Sequence, residues 1–475
     1  MYIKNFSQLT PNEIKEDSLT LRKVGLNALE VALNSVQAGK LIKRAVKILN
    51  DMLIIRNEEF DLSTFREVLV IGGGKASAQM ALAIEELLKE YSKINYKGLI
   101  NIPNSLNIDT SSASSKIRTN SASHPIPDKN GVNGTKLMFS YIDNTTKDDL
   151  IIFLLSGGGS ALLPMPKQDI TLADLQETNS LLLGSGASIH EINTIRKHLS
   201  DFKGGNLAKK IYESSRATVI TLIISDVVGN NMEFIASGPT VPDTTTFKDS
   251  YHILKKYDLL SKVPVPVKQL IETGMNDLSL SNPLNQSAFF KNVHNYLIGS
   301  VESSVNEITK YLEDLNFEVD YFSNEIVGEA AIFGKDLYNF IVYKLQNFVK
   351  KSNKRKFALL GTGELTVTIK GKGIGGRNQE MLLTFLNEIK DKNIDYNFLI
   401  IGANLDGIEG NSEAMGALVD NALLSQSVEN KIEFNTYLTN NDSNSFFKML
   451  NCDIITGATG INVNDLLLIL IDIND

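Results

Sequence analysis

The sequence predicts an α/β protein, with a larger unit built on a mostly parallel sheet and a smaller α/β unit after it. Three observations carry this prediction. Short apolar runs stop at glycine-rich turns, as strands buried on both faces do: residues 67–71 before Gly72-Gly73-Gly74, and 151–155 before Ser156-Gly157-Gly158-Gly159-Ser160. Helical periodicity resumes after several of these turns. The texture changes over 261–290, where Pro264, Pro266, Asn276, Asn282, Pro283 and Asn285 cluster, and a strand–helix rhythm restarts at 295–299. The expected division is a large unit over 1–285, with 455–475 as a candidate returning segment, and a smaller unit over 290–455.

Composition narrows the function classes. With 43% hydrophobic and 21% charged residues, the 475-residue chain has the profile of an ordinary soluble protein with large cores. A net charge of −8 argues against a nucleic-acid partner, which asks for a basic face, yet leaves room for a locally positive site. Cys452 is the single cysteine, so an intrachain disulfide and a cysteine zinc cluster are excluded. No apolar run reaches the roughly 18 residues of a membrane span, and no signal-peptide core opens the chain. A cytoplasmic protein without a membrane partner is expected.

In chain order, residues 1–60 read as helices, with one apolar face over Leu21–Leu33 and a second over 40–55. The strand at 67–71, its glycine turn and a helix face from Met80 to Tyr91 resemble the first turn of a dinucleotide fold. The next strand, 97–101, ends without the acid that a nicotinamide ribose asks for. Lys75 stands inside the glycine turn at a helix start, where a cation is unfavourable unless an anion sits there too; an exposed lysine is the alternative. Residues 104–121 read as a loop or weak strand. Ser123-His124-Pro125-Ile126-Pro127-Asp128 is a rigid turn or a positioned polar loop.

The stretch 151–205 is the centre of the chain. Its strand, glycine turn and helix start, with Ser160 as N-cap, suggest backbone amides arranged for phosphate or carboxylate; a tight turn without ligand is the alternative. A helix over 172–183 follows. Then Asn193, Arg196, Lys197, His198 and Lys203 gather cationic groups beside paired glycines, either as an anion site or as a solvated basic face. The strand 217–224 ends at Ser225-Asp226, where open α/β sheets bind ligands. Beyond the boundary, strands are expected at 357–360, 365–369, 398–401 and 466–471, with a helix opening at Gly375-Gly376-Arg377-Asn378. Acids Asp226, Glu364 and Asp406 are candidates for a divalent ion. Cations in glycine turns with acids at strand ends are what phosphoryl transfer needs. A nicotinamide oxidoreductase and a two-lobed binding protein closing on a small anion are the competing classes.

Several motifs together resemble the glycerate kinase type-2 family, with its C-terminal MOFRL domain: GGGKA at 72–76, SHPIPD at 123–128, LSGGGSALL at 155–163, EINTIRKHLSDFKGG at 191–205, Ser225-Asp226, SGPTVPD at 237–243, GGRNQE at 375–380 and the stretch 457–465. The resemblance implies a Rossmann-like domain plus a smaller α/β domain with the site in the cleft between them. It implies ATP-dependent phosphorylation of D-glycerate, usually at the 2-hydroxyl, with ATP and Mg²⁺ as cofactors and small-molecule partners only. The 3-kinase regiochemistry and a hydroxypyruvate reductase are the alternatives; a homodimer is an open expectation. Catalytic roles fall on Lys75, Arg377 and Asp226, the last also a candidate metal ligand. Substrate or phosphate contacts fall on Gly73, Gly74, Ser156, Gly157, Gly158, Gly159, Ser160, Asn193, Arg196, Lys197, Glu364 and Asn378. The family's usual loops are altered at Asn230, Leu365 and Leu405.

Overall fold

A computed structural model describes residues 1–105, 115–460 and 463–473. The middle of the loop expected at 104–121, and Ile461-Asn462 of the last motif, lie outside the described residues. The chain divides into a contiguous unit, 38–298, and a discontinuous unit, 1–37 with 299–475.

The contiguous unit is organised by six strands: β1 (Glu67–Gly73), β2 (Asn95–Pro103), β3 (Ile117–Ala122), β4 (Leu150–Leu155), β5 (Thr218–Ile224) and β6 (Val293–Gly299). Their order is β3-β2-β1-β4-β5-β6. The pairs β1–β2, β1–β4, β2–β3 and β4–β5 are parallel. This is the doubly wound order, which reverses direction between β1 and β4 and so opens a crevice at the carboxyl ends of those two strands. The chain builds it because β4 is apolar along its length and β1 is so after Glu67: every residue of β4, and of β1 from Val68 on, is buried. Leu69, Ile71, Ile151, Phe153 and Leu155 pack with Phe202 into one core, Phe153 meeting Phe202 edge-on at 5.9 Å. Helices α1 (Ser77–Tyr91), α2 (Lys129–Asp143), α3 (Leu172–Gly184), α4 (Ile189–His198) and α5 (Asn206–Ser214) follow the strands. Capping boxes at Thr171 and Ser188 fix the starts of α3 and α4.

Two local expectations fail here. The apolar pattern at 40–55 is not one helix. A helix ends at Ala45, and Val46–Leu49 and Met52–Ile55 form a hairpin extended by Glu58–Asp61. The β-branched run favours strands, and Asn50, at φ 56°, makes the turn. Likewise 295–299 does not open a new unit: it is the last strand of this sheet.

In the discontinuous unit the strands are β7 (Glu318–Glu329), β8 (Lys356–Thr366), β9 (Asn397–Asn404), β10 (Gly416–Asp420), β11 (Asp453–Ile454) and β12 (Asp465–Asp472). They lie in the order β7-β8-β12-β9-β10-β11; β7–β8 is parallel and the other pairs are antiparallel. The expected strand 357–360 and the first two residues of the one expected at 365–369 form one strand, β8, which ends at Thr366; residues 367–369 lie outside it. Gly363 permits this, since a Cβ there would stand 2.1 Å from the Ile326 carbonyl oxygen of β7. The C-terminal segment does not return to the large unit: β12 is central here. The N-terminal helix, Glu16–Ser35, belongs here too. It lies on β9, with Gly25 close against Leu399, and Arg22 binds Asp420 at 2.7 and 2.9 Å. Among the described residues no helix is long and apolar enough to cross a membrane.

Candidate active site

The crevice between β1 and β4 is built by two glycine turns. Ser156, fully buried, ties them together: its Oγ accepts from the Ala76 amide at 3.0 Å and lies 3.3 Å from Ser77 Oγ. The Lys75 amide donates to the Gly157 carbonyl at 2.8 Å. Gly74 takes φ 146°, and a Cβ there would meet Ser156 Oγ at 2.2 Å. Gly73 leaves room for Leu163, and Gly159 for Ala236. The sequence makes an amide cradle plausible, but several of these amides are spent joining the turns. Ser160 is not an N-cap: Gly158, at φ 79°, precedes the short helix Gly159–Leu162. The Ser160 hydroxyl instead lies 3.2 Å from Ser237 Oγ, which donates to Asn193 Oδ1 at 3.0 Å.

Lys75 is half-buried at this turn. Gly158 lies between it and His124: a Cβ on Gly158 would be 3.1 Å from His124 Nε2 and 3.2 Å from Lys75 Cγ. Burial first, and then Lys75, hold the His124 imidazole below its ordinary range, so it stays neutral near pH 7. The turn at 123–128 thus places His124 next to Gly158 and Lys75.

A cavity of about 250 Å³ opens beside these groups. His124, Gly158, Ser160, Arg196 and Lys203 line it, with Leu175, Leu182 and Leu199 as apolar wall and no carboxylate among its lining residues. Arg196 donates through Nε to Asn179 at 2.7 Å. Lys203 donates to the Leu163 carbonyl at 3.1 Å. Burial lowers the Arg196 guanidinium. Burial, and then Arg196, push the Lys203 ammonium down to about 7.

The basic run thus divides. Lys197, 1% exposed, pairs with Asp243 at 2.6 Å and Glu233 at 3.4 Å and is a structural cation, contrary to its expected role at a ligand. His198 bonds the Thr194 carbonyl inside the core. Arg196 and Lys203, both in the expected cationic run, line the pocket, and Asn179 joins them without having been a candidate. Asn179, inside the helix expected at 172–183, gave no signal of its own in the sequence.

Asp226 follows β5 and is half-buried. Among the described residues no group of three His, Cys, Asp or Glu is arranged to hold a metal. A single carboxylate does not cage a divalent ion, but it fits Mg²⁺ that arrives on nucleotide phosphates. Asp406, half-buried after β9, has the Asn404 side chain on its own amide at 3.0 Å.

In the discontinuous unit, helix α6 (Arg377–Ile389) starts after Gly376 as expected. Arg377 meets Asp465 through Nε at 2.5 Å and Nη2 at 2.7 Å, and Glu364 through Nη1 at 2.8 Å. These acids raise its pKa against the opposing effect of burial. Glu364 is thus an ion-pair partner here. Asn378 donates to Asp465 and Glu409. Glu409 accepts the Asn378 and Gln379 amides and so caps α6; burial, and then Asp465, push it up to about 7. Asp465 and Glu409, which hold Arg377 and the start of α6, are acids that the sequence did not single out, although both close glycine-containing loops.

A family model described as a domain of unknown function (DUF4147) matches residues 25–272, and the MOFRL family model matches 357–465. A Pyrococcus horikoshii protein named glycerate 2-kinase is 36% identical, covering 96% of this chain and 98% of its own length. A Thermotoga maritima protein named D-glycerate 2-kinase is 32% identical, at 96% and 99% coverage. A crystal structure of glycerate kinase from Thermotoga maritima superposes with a TM-score of 0.78 at 31% identity, covering 95% of this chain and 99% of its own. Similarity over nearly the full length, with the doubly wound unit and the MOFRL match in the expected order, means that the chain belongs to the glycerate kinase type-2 family.

Proposed function

We propose that the protein transfers the γ-phosphoryl group of ATP to the 2-hydroxyl of D-glycerate, giving 2-phosphoglycerate and ADP. The observation that carries this reading is the acid-free, cation-lined pocket beside Lys75 and neutral His124 at the switch point of the parallel sheet. The names of its relatives, glycerate 2-kinase and D-glycerate 2-kinase, supply the substrate.

In this reading the glycerate hydroxyl oxygen forms a bond to the γ-phosphorus, while the bond from that phosphorus to the ADP oxygen breaks. His124, already neutral, takes the hydroxyl proton at a ring nitrogen. Lys75 neutralises charge growing on the transferring group, which is the main service a protein gives this reaction. Asp226 would hold Mg²⁺ with the nucleotide, whose charge neutralises phosphate oxygens. Arg377, with its fork fixed by Asp465 and Glu364, retains donor capacity for an oxyanion and is required for turnover. The carboxyl end of β2 supports a kinase over a nicotinamide enzyme. Asn101 stands there, with its amide spent on the Leu162 carbonyl at 2.7 Å, where a ribose-binding acid would be. The setting is cytoplasmic, with a homodimer to be checked by sedimentation.

The deciding experiment supplies ATP, Mg²⁺ and D-glycerate and identifies the product by ³¹P NMR. Production of 2-phosphoglycerate is expected; 3-phosphoglycerate, or no phosphorylated acid, overturns the reading. Hydroxypyruvate should elicit no NADH oxidation.

A further inference from the structure

The pocket beside the switch point has a property that kinase chemistry alone does not demand. Its two basic side chains come from different places, Arg196 from α4 and Lys203 from the turn before α5, and both line it. Lys203 is only 5% exposed, and burying an ammonium without an anion is costly. Among the described residues neither cation has an acid partner, whereas their neighbour Lys197 has two. Asn179 fixes the Arg196 fork from behind, through Nε. At about 250 Å³ the cavity falls below the roughly 300–1,000 Å³ of sites for drug-sized ligands, so a short acid suits it better than a nucleotide.

We propose that Arg196 and Lys203 form the carboxylate subsite of the acceptor, so that this pocket selects a small hydroxy acid over an uncharged polyol. Arg196 receives the carboxylate through its terminal nitrogens, and Lys203 supplies the second charge from beneath. Leu175, Leu182 and Leu199 exclude water and strengthen both contacts. The carboxylate, held there, presents the adjacent hydroxyl to the side of the pocket occupied by His124. The inference rests on the glycerate kinase reading for the identity of the acid.

The test uses full-length wild type, Lys203→Met and Asn179→Ala. Asn179→Ala keeps both charges and removes only the prop behind Arg196, so it remains informative if the lysine variant does not fold. Steady-state kinetics are measured with D-glycerate and with glycerol as acceptors, and D-glycerate binding is measured calorimetrically without nucleotide. Lys203→Met should raise the KM for D-glycerate at least tenfold, leave the KM for ATP within twofold, and narrow the preference for D-glycerate over glycerol by a similar factor. Asn179→Ala should raise the same KM three- to tenfold. A rise in the KM for ATP with that for D-glycerate unchanged overturns the proposal, because the pocket would then serve the nucleotide. So does an unchanged acceptor preference in both variants. If wild type binds D-glycerate through these residues but transfers no phosphate, the kinase reading falls and the subsite stands.

Discussion

At the scale of single residues, three side chains carry separable expectations. Lys75→Ala should lower kcat by about 10²–10³, the scale of losing one preorganised electrostatic donor, without altering the melting temperature. Stopped-flow product formation checks it, and wild-type turnover would remove Lys75 from the chemistry. Asp226→Asn should nearly abolish activity at saturating Mg²⁺ while leaving the circular dichroism unchanged; persistent turnover in EDTA would end the metal assignment. Lys203 ties stability to pH. Its folded pKa, lowered to about 7 by burial and by the charged neighbour Arg196, lies below the unfolded value of about 10.4. Between those values the unfolded chain holds a proton that the folded chain does not, so this group makes stability rise with pH over that window. Below about 7 the full cost of the buried charge is present. Lys203→Met should therefore stabilise the ligand-free protein most below pH 7, and the advantage should fade towards pH 10. Denaturant midpoints across that range measure this.

At the scale of elements, the turn after β1 is held by conformation and contact together. Gly74→Ala puts a methyl into a left-handed backbone and against Ser156. It should cost about 1–3 kcal/mol and misplace Lys75, lowering activity as well. Gly39, in the helix Ala38–Ala45, has open space around its Cβ position. Gly39→Ala should stabilise by about 0.5–1 kcal/mol and leave activity alone. Equal effects of the two substitutions would show that the turn is not strained. Both glycine turns were legible in the sequence because an apolar run that ends in glycine has few other uses. The hairpin at 46–55 was not, since a short apolar run fits one helical face as well as two alternating strands.

For the whole molecule, the first 37 residues are part of the fold of the last 177, since both make up the discontinuous unit. Arg22, 4% exposed, and Asp420, fully buried, make the link explicit. Arg22→Met leaves Asp420 buried without its cation and should cost about 3–5 kcal/mol, whereas replacing both partners by apolar residues should recover much of it. Hydrogen exchange should report the loss in β10 and in the helix Glu16–Ser35, with little change in β1 and β4. Deleting 1–37 should destabilise the discontinuous unit similarly; unchanged protection there would show that the segment is dispensable.

The sequence by itself determined the fold class, the parallel strands that end in glycine turns, the start of α6 at Arg377, and a concentration of cations near 191–205. Each is a local consequence of burial periodicity or backbone freedom, and local chemistry is what a sequence displays. Only the tertiary structure decided which cations are available to a ligand. Arg196 and Lys197 are adjacent, yet successive helical positions point in different directions. One faces a cavity, while the other meets Asp243, 46 residues away. Tertiary structure alone also assigned the chain ends, because an ion pair spanning 398 residues leaves no trace in either segment. The same reason hid Asp465 and Glu409: their meaning is Arg377 and the start of α6, which reach them only when the chain has folded.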